Sequence, residues 1–342
     1  MAVVGIIANP AASKDIRRLV AQARVIPDWE KINTVRRVLL GLQAVGIDRV
    51  VAMPDSSRLC QRAQDDAQVS LEVDLLEMSA RYGENDTVKA AAAMQDMGVD
   101  CLVTLGGDGT NRAVARGSTA MPLVAISTGT NNVFPTMIEG TLAGLAAGLV
   151  AQKRIKSGHA IMVSKTVEVY IDDEFQDMAL VDVALSRERF VATRAIWDLA
   201  TIYEVFLTRA EPASIGLSSV GGRLESVSLA DAGGLHYVLG DVNDGGEGTS
   251  GSDAGSANQC QVLAPTGPGS ISKVPIARWE RLEECQRIEV PRRHCTVALD
   301  GERSFTVTAE QKLELAVRRN GPPVVQVEQV LREAAEQGLF MV

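Results

Sequence analysis

The sequence lacks the cysteine pattern and the basic patches that mark several large protein classes. Its five cysteines are odd in number and widely spaced, without a CxxC pair, so neither a disulfide framework nor a zinc ribbon is predicted, and a reducing compartment fits. Lys and Arg number 34 against 43 Asp and Glu, which gives a net charge of −9. No basic cluster stands out, so we expect neither a nucleic-acid scaffold nor a polybasic membrane binder.

Long hydrophobic runs are also missing. The longest, Leu142 to Ala151, contains two glycines and falls well short of the roughly 20 apolar residues that a membrane span needs. From Met1 the chain runs directly into the apolar stretch Val3 to Ala8, without the basic region of a signal peptide, as a buried strand would. The sequence therefore predicts a soluble, cytoplasmic protein that binds neither membranes nor nucleic acids.

Material for a core is abundant. Of the 342 residues, 46% are hydrophobic and 23% are charged, enough for about two domains of roughly 150 residues each. Up to about residue 155, short β-branched runs alternate with helical patterns, which is typical of a parallel sheet covered by helices on both faces. The predicted strands are 3–8, 50–53, 71–76, 101–105 and 123–126. A helix after Glu84 is predicted to have Asn85 or Asp86 as its N-cap.

Beyond about residue 158 the hydrophobic period shortens towards two, which predicts antiparallel strands. They are expected at 161–171, 178–185, 224–229, 236–239, 286–290, 296–299 and 313–317. One helical insertion, Arg194 to Leu207, is predicted from its apolar face. Residues 240–258 are nearly all small or polar, which predicts a mobile loop. The alternative is a calcium-binding loop, for which the glycine and aspartate spacing does not fit.

These patterns give an α/β fold class, with a doubly wound domain followed by a β-rich, sandwich-like domain. The expected boundaries are 1–157 for the α/β nucleotide-binding domain and 158–322 for a β-rich domain that binds substrate or forms an oligomer. The terminal segment 323–342 is expected to pack back on the first domain.

One motif points to chemistry. The apolar run Leu102 to Leu105 leads into Gly106-Gly107-Asp108-Gly109-Thr110, with Thr110 placed to cap a helix that begins near Asn111. Glycines permit positive φ and close approach of a ligand, and amides at a helix N-terminus point at an anion, so a phosphate-binding turn is predicted. The carboxyl end of a central strand is where open α/β sheets bind ligands. No lysine follows the glycines, so a metal ion and other side chains would neutralise the charge. The alternative is a plain turn into a helix.

Three further segments join this motif in a family resemblance. Gly106 to Thr110 resembles the GGDGT signature of the NAD kinase and diacylglycerol kinase superfamily. Ser127 to Asn132 is similar to its second glycine–threonine nucleotide loop, and Ala298 to Arg303 to its late aspartate–glycine turn, with a glutamate as in the lipid kinases. Ile6 to Pro10, with residues 14–18, resembles the branch of ATP-NAD kinase-like acetoin catabolism proteins X. The resemblance spans nearly the whole chain and implies a phosphofructokinase-like α/β domain followed by a β-rich domain.

The resemblance also implies an activity and residue roles. It implies a kinase that uses ATP and Mg²⁺, in which Asp108 orients or deprotonates the acceptor hydroxyl and helps hold the metal, while Glu302 has a supporting acidic role. The nucleotide-binding residues would be Asn9, Gly106, Gly107, Gly109, Thr110, Thr128, Gly129, Thr130, Asn131 and Asn132. Structural alternatives stay open, because Asp108 could cap a turn, Asn131 could fill a left-handed position and Asp300-Gly301 could be only a hairpin turn. A homo-oligomer, dimer or tetramer, is expected by analogy.

The acceptor is where the sequence departs from the NAD kinases. Their Asn-Glu pair, which contacts the dinucleotide, is matched here by Val181-Asp182, so Asp182 is the acceptor-binding candidate. Their polar NAD segment is matched by the shorter, less polar Pro212 to Gly222. Three hypotheses follow: a kinase for the adenosine 2′-hydroxyl of NAD or a related small molecule, a lipid or small-alcohol kinase, and a non-catalytic nucleotide-binding regulator linked to acetoin catabolism.

Overall fold

The computed structural model describes residues 2–12, 22, 25–129, 131–155, 158–188, 199–240 and 260–341, without the side chain of Arg303. This part of the chain divides into two compact units. The first contains the described residues up to Ser164, apart from Gln22, together with those from Asn320 onward. The second contains Gln22 and the described residues of Lys165–Arg319.

The first unit is built on a seven-stranded sheet. Its strands are β1 (Val4–Ala8), β2 (Arg49–Ala52), β3 (Glu72–Leu75), β4 (Cys101–Gly106), β5 (Leu123–Ser127), β6 (Ile161–Val163) and β18 (Pro323–Val325). They lie in the order β3-β2-β1-β4-β5-β18-β6, with β6 the antiparallel member. The chain therefore moves outward from β1 to β3 and then returns to pair β4 with β1. This reversal of strand order creates a switch point between β1 and β4.

Helices cover this sheet. They are α1 (Asp28–Ala44), α2 (Leu59–Gln64), α3 (Glu84–Asp96), α4 (Asp108–Gly117), α5 (Gly140–Ala151) and α7 (Val327–Glu336). Apolar residues of α1, α2, α5 and α7 form one core with Val4, Ile6 and Ala8 of β1. Gly5 of β1 lies between Val4 and Ile6 and lets α3 approach the sheet closely, since a Cβ on Gly5 would lie 2.8 Å from Met94 Sδ. Burial of both faces explains why β4 is apolar along its length apart from Thr104.

In its described residues, the second unit contains two antiparallel sheets and one α-helix. The seven-stranded sheet has the order β12-β13-β11-β10-β9-β15-β16, and the four-stranded sheet has the order β14-β17-β7-β8. The strands are β7 (Thr166–Ile171), β8 (Glu174–Ala179), β9 (Asp182–Ser186), β10 (Ile202–Leu207), β11 (Gly234–Leu239), β12 (Cys260–Gly267), β13 (Ser270–Leu282), β14 (Arg287–Val290), β15 (Cys295–Leu299), β16 (Glu302–Val307) and β17 (Leu313–Arg318).

The two sheets share one core, in which Val167 and Val169 of β7 meet Val183 and Leu185 of β9. Helix α6 (Leu217–Leu224) joins a second core on the larger sheet through Val220. The predicted fold class, a doubly wound α/β domain followed by a β-rich one, is confirmed.

Several local predictions are wrong. Within the predicted helical insertion, Ile202–Leu207 is the strand β10, because its apolar residues serve a strand that is buried on both faces. Residues 194–198 of that insertion, and 241–258 of the predicted loop, lie outside the described residues. The predicted strand 224–229 is reduced to one bridge, between Ala210 and Val227.

The helix starts also differ. Helix α3 begins at Glu84 after the N-cap Gly83, and helix α4 begins at Asp108 after the N-cap Gly107. Thr110 therefore lies in the first turn of α4 instead of capping it. None of the described helices is long and apolar enough to cross a membrane.

Candidate functional site

The loop after β1 and the glycine loop after β4 meet at the switch point of the parallel sheet. Asn9 follows β1, and its backbone N–H donates to the Leu105 carbonyl of β4 at 2.9 Å. The Asn9 side chain reaches further, because its Nδ2 donates to Thr110 Oγ1 at 2.9 Å. Asn9 and the glycine loop are thus joined in the crevice where open α/β sheets place their ligands.

Three glycines provide the space in which the first loop, Gly106 to Thr110, packs against the second loop, which follows β5. Gly106 ends β4, and a Cβ on it would lie 2.5 Å from Thr110 Oγ1. A Cβ on Gly107 would lie 2.9 Å from Asn132 Oδ1, and one on Gly129 would lie 2.5 Å from Asn132 Nδ2. None of these three glycines has a positive φ. Close packing of the two loops is therefore the physical reason for these three glycines.

Asp108 connects the first loop to the second. It is the first residue of α4, and its carboxylate Oδ1 accepts hydrogen bonds from Val133 N at 3.1 Å and Phe134 N at 2.8 Å. Oδ2 also accepts from Val133 N, at 3.1 Å. The residue is 9% exposed. A carboxylate at a helix N-terminus is favoured by the helix dipole, so this residue both completes the helix start and fixes the second loop.

Asn111, which the motif analysis missed, supports the same turn from within the protein. It is fully buried, accepts a hydrogen bond from Thr104 Oγ1 at 2.7 Å, and donates from Nδ2 to the Gly107 carbonyl at 2.8 Å. Gly109 lies between Asp108 and Thr110 in the first turn of α4. The GGDGT sequence is therefore a rigid strand-to-helix turn with its first-turn amides at a helix N-terminus.

The second loop follows β5 and carries two buried polar atoms that bind no other described residue. Asn132 Nδ2 donates to Ser127 Oγ at 2.9 Å, and Thr128 N donates to the Gly106 carbonyl at 3.1 Å. In contrast, Thr128 Oγ1 and Asn131 Oδ1 are buried and have no hydrogen-bond partner within the described part of the chain. Thr128 is only 3% exposed. Unpaired buried polar atoms are costly, so both are groups that a ligand would complete. Thr130 lies outside the described residues.

The donor set fits a magnesium ion that arrives with phosphates. Asp108 is the single carboxylate of the two loops. Among the described residues, no group of three or more His, Cys, Asp or Glu side chains could hold a metal ion. Magnesium is commonly bound by one or two carboxylates together with the phosphates of the substrate. These loops therefore suit a metal–nucleotide complex better than a metal held by protein ligands alone.

The second unit contains the remaining candidates. Asp300 and Gly301 have φ values of 51° and 75° and form the turn between β15 and β16. The Asp300 carboxylate is 4% exposed and accepts hydrogen bonds from Leu180 N, Val181 N and Asp182 N at 3.1, 2.7 and 3.3 Å. It therefore holds the segment that ends in Asp182, a role that the motif did not reveal. Glu302 begins the edge strand β16 and is half-exposed.

Asp182 lies close to the segment that resembles the NAD loop of the family. Burial and, to a lesser extent, the Asp182 carboxylate raise the pKa of Tyr237 well above its usual value. The Tyr237 hydroxyl donates to the Leu217 carbonyl at 3.2 Å. Within the same segment, Ser218 Oγ donates to the Arg209 carbonyl, and Ser219 Oγ to the Gly216 and Pro265 carbonyls. Both hydroxyls thus serve the fold of this unit.

Comparisons with known proteins match two separate stretches of the chain. Residues 4–154 match the model of the ATP-NAD kinase N-terminal domain, and residues 165–320 match that of the acetoin catabolism protein X C-terminal domain. The chain is 36% identical over 350 residues to the acetoin catabolism protein X of Cupriavidus necator strain H16, covering 99% of this chain and 94% of that protein.

Among solved structures, a Bacillus anthracis str. Sterne protein proposed to be a diacylglycerol kinase is similar at 12% identity and a TM-score of 0.47, over 94% of this chain and 97% of that one. The UDP-GlcNAc 2-epimerase of Neisseria meningitidis is similar at 12% identity and a TM-score of 0.25, over 36% of this chain and 32% of that one.

Proposed function

Because the chain belongs to the acetoin catabolism protein X family of NAD kinase-like proteins, we propose that it is an ATP-dependent phosphotransferase. Its proposed acceptor is the adenosine 2′-hydroxyl of NAD or of a related small molecule. The observation that carries the proposal is a pair of buried atoms, Thr128 Oγ1 and Asn131 Oδ1, which have no hydrogen-bond partner among the described residues and lie beside a glycine turn at a helix N-terminus. A phosphate oxygen and a nucleoside donor would satisfy them.

In this proposal each loop has a distinct task. The amides of Gly107, Gly109 and Thr110 bind phosphate oxygens at the N-terminus of α4. The Thr128 hydroxyl donates to a further phosphate oxygen, and Asn131 Oδ1 accepts from a hydroxyl or amino group of the nucleoside. The residues that shape the loops for this task are Asn9, Gly106, Gly129 and Asn132, with Thr130 the remaining member of the set.

The proposed reaction needs one carboxylate and good positioning. Asp108 orients the acceptor hydroxyl and takes its proton as the hydroxyl oxygen bonds to the γ-phosphorus and the bond to the ADP leaving group breaks. Magnesium bound to the phosphates would neutralise the developing negative charge. Positioning and charge stabilisation account for most of such catalysis, so a site without an active-site lysine is sufficient. Asp182 is assigned to acceptor binding and Glu302 to acidic support.

The direct test is incubation of the purified protein with Mg-ATP and NAD, with NADP read by a coupled NADP-specific dehydrogenase. NADP formed by the wild type, and lost in the Asp108→Asn variant, supports the full proposal. ADP release without NADP, when small alcohols or diacylglycerol are supplied, keeps the phosphotransferase but replaces its acceptor. Nucleotide binding without any turnover favours the regulator. A folded protein that does not bind Mg-ADP contradicts the proposal as a whole.

A small-alcohol or lipid acceptor is the second candidate. Two observations favour it: Val181 stands where the NAD kinases carry an amide, and the hydroxyls of Ser218 and Ser219 are directed to backbone carbonyls. Neither hydroxyl is therefore placed to bind a dinucleotide.

Thr128→Val is expected to weaken Mg-ADP binding on the order of tenfold, because it removes a hydroxyl that is free to bind phosphate. Stability should be unchanged or slightly higher, since the lost hydroxyl has no hydrogen-bond partner in the part of the chain that the structure describes. Titration calorimetry and thermal unfolding give the two values. Thr87→Val is the matched control, a buried threonine on α3 whose hydroxyl faces Met53 Sδ. Equal affinities in the wild type and the Thr128 variant would remove this residue from the site.

The family resemblance also leads us to propose a homo-oligomer, a dimer or tetramer. Light scattering at assay concentrations gives the mass directly. A monomer of 36.4 kDa would refute this part of the proposal.

A further inference from the structure

A lysine that belongs to none of the motifs is enclosed by the loop after β1. Lys31 lies in the first turns of α1 and is fully buried. Its Nζ donates to the carbonyls of Pro10 at 2.7 Å, Ala12 at 2.8 Å and Asn9 at 3.3 Å. Hydrogen bonds from a charged donor are stronger than neutral ones, so this ammonium group determines the conformation of residues 9–12.

Through its contacts with this loop, the Lys31 ammonium group also positions Asn9. The Asn9 side chain is fixed at both ends, since its Oδ1 accepts from Ala11 N at 2.9 Å while its Nδ2 donates to Thr110 Oγ1 at 2.9 Å. The Asn9 backbone is anchored to β4 as well, through Leu105. A continuous series of contacts therefore runs from the Lys31 ammonium, through the loop and the Asn9 amide, to the Thr110 hydroxyl.

Thr110 ends this series with a hydroxyl donor that no described residue accepts from. Its side chain is 8% exposed and packs against Gly106, where even a Cβ would not fit. Its oxygen accepts from Asn9, while its own hydroxyl hydrogen finds no acceptor among the described residues. A hydroxyl carries one donor and two acceptor positions, so the bond from Asn9 restricts where that hydrogen can point. Thr110 is in the first turn of α4, where the backbone amides favour an anion.

We propose that Lys31 is a positioning residue for nucleotide binding, which sets the Asn9 loop so that Asn9 presents the Thr110 hydroxyl to a phosphate oxygen of a nucleoside di- or triphosphate. The inference rests on the proposed function of the same site. Lys31 does not touch the reacting atoms, so its removal acts on the KM for nucleotide and leaves kcat close to that of the wild type.

The test is a double-mutant cycle on Mg-ADP affinity, measured by titration calorimetry. Lys31→Met and Thr110→Val are each expected to raise the Kd on the order of tenfold. The double variant is expected to bind no more weakly than Thr110→Val alone, because Lys31 acts through that hydroxyl. A purely structural lysine would instead give additive losses. Asn9→Leu removes the hydrogen bond from Asn9 to Thr110 while keeping Lys31. It is expected to show the same coupling to Thr110→Val.

The controls separate the possible failures. Lys89→Met, at an exposed lysine of α3, should bind Mg-ADP as the wild type does. Should Lys31→Met fail to fold, Asn9→Leu with Thr110→Val completes the cycle. Additive losses, or wild-type affinity in Asn9→Leu, overturn the role of Lys31 and leave the nucleotide site standing. Absence of Mg-ADP binding by the folded wild type overturns the proposed function and this inference together.

Discussion

Replacing Asp108 by asparagine is expected to remove phosphoryl transfer and to loosen the nucleotide loop at the same time. Turnover should fall roughly 10³-fold, since the group that we propose takes the acceptor proton is lost. The amide that replaces the carboxylate has only one acceptor oxygen, and an NH₂ group in the place of Oδ2 opposes the N–H donor of Val133. Stability should fall by about 2 kcal/mol, and Mg-ADP affinity should fall with it. Product formation, calorimetric titration and urea unfolding measure the three effects.

The matched control is Asp96→Asn, which makes the same chemical change at an exposed position near the end of α3. It should leave turnover, affinity and stability as they are. A variant at Asp108 that loses turnover while keeping wild-type stability would show that the loop contacts are dispensable. A variant that loses stability while keeping turnover would instead remove Asp108 from the chemistry.

The turn at which we propose the nucleotide site could be predicted from the sequence because it depends on local order. The apolar run before Gly106 is buried on both faces, so a central parallel strand was the natural interpretation, and the carboxyl end of such a strand is a binding position. The start of α4 was predicted near Asn111, three residues after its actual start at Asp108. Gly107 and Asp108 are poor residues for a helix interior, but as N-cap and first residue they fit the helix start.

The contacts that organise the site were beyond sequence reasoning because they join distant positions. Asp108 and Val133 are 25 residues apart, and Asp300 and Leu180 are 120 residues apart. Lys31 reads as one charged residue of an amphipathic helix, and charged residues are usually exposed. The spacing of apolar residues predicts which face of a helix is buried. It does not predict which carbonyl groups a lysine on that face will contact. The prediction of a helix at strand β10 was wrong for a related reason, since apolar residues on both faces of a buried strand resemble a helical pattern.

Asp300 and Glu302, which lie on either side of Gly301, are expected to respond differently to the loss of charge. Asp300→Asn should lower the free energy of unfolding by about 3 kcal/mol, because the buried carboxylate accepts from three amides, of Leu180, Val181 and Asp182. Glu302→Gln should leave stability within about 0.5 kcal/mol, as surface substitutions do, and should lower turnover if the glutamate supports the reaction.

The two variants change the same chemical group two positions apart on one hairpin, so each controls for the other. Urea unfolding gives the stability, and ADP release with varied acceptor gives kcat and KM separately. Since Asp300 fixes the segment that carries Asp182, its loss should also raise the KM for the acceptor while leaving Mg-ADP affinity intact. A stable Asp300 variant with altered kcat and unchanged acceptor KM would assign the chemistry to Asp300 itself. Full activity in the Glu302 variant would leave this hairpin with a structural role alone.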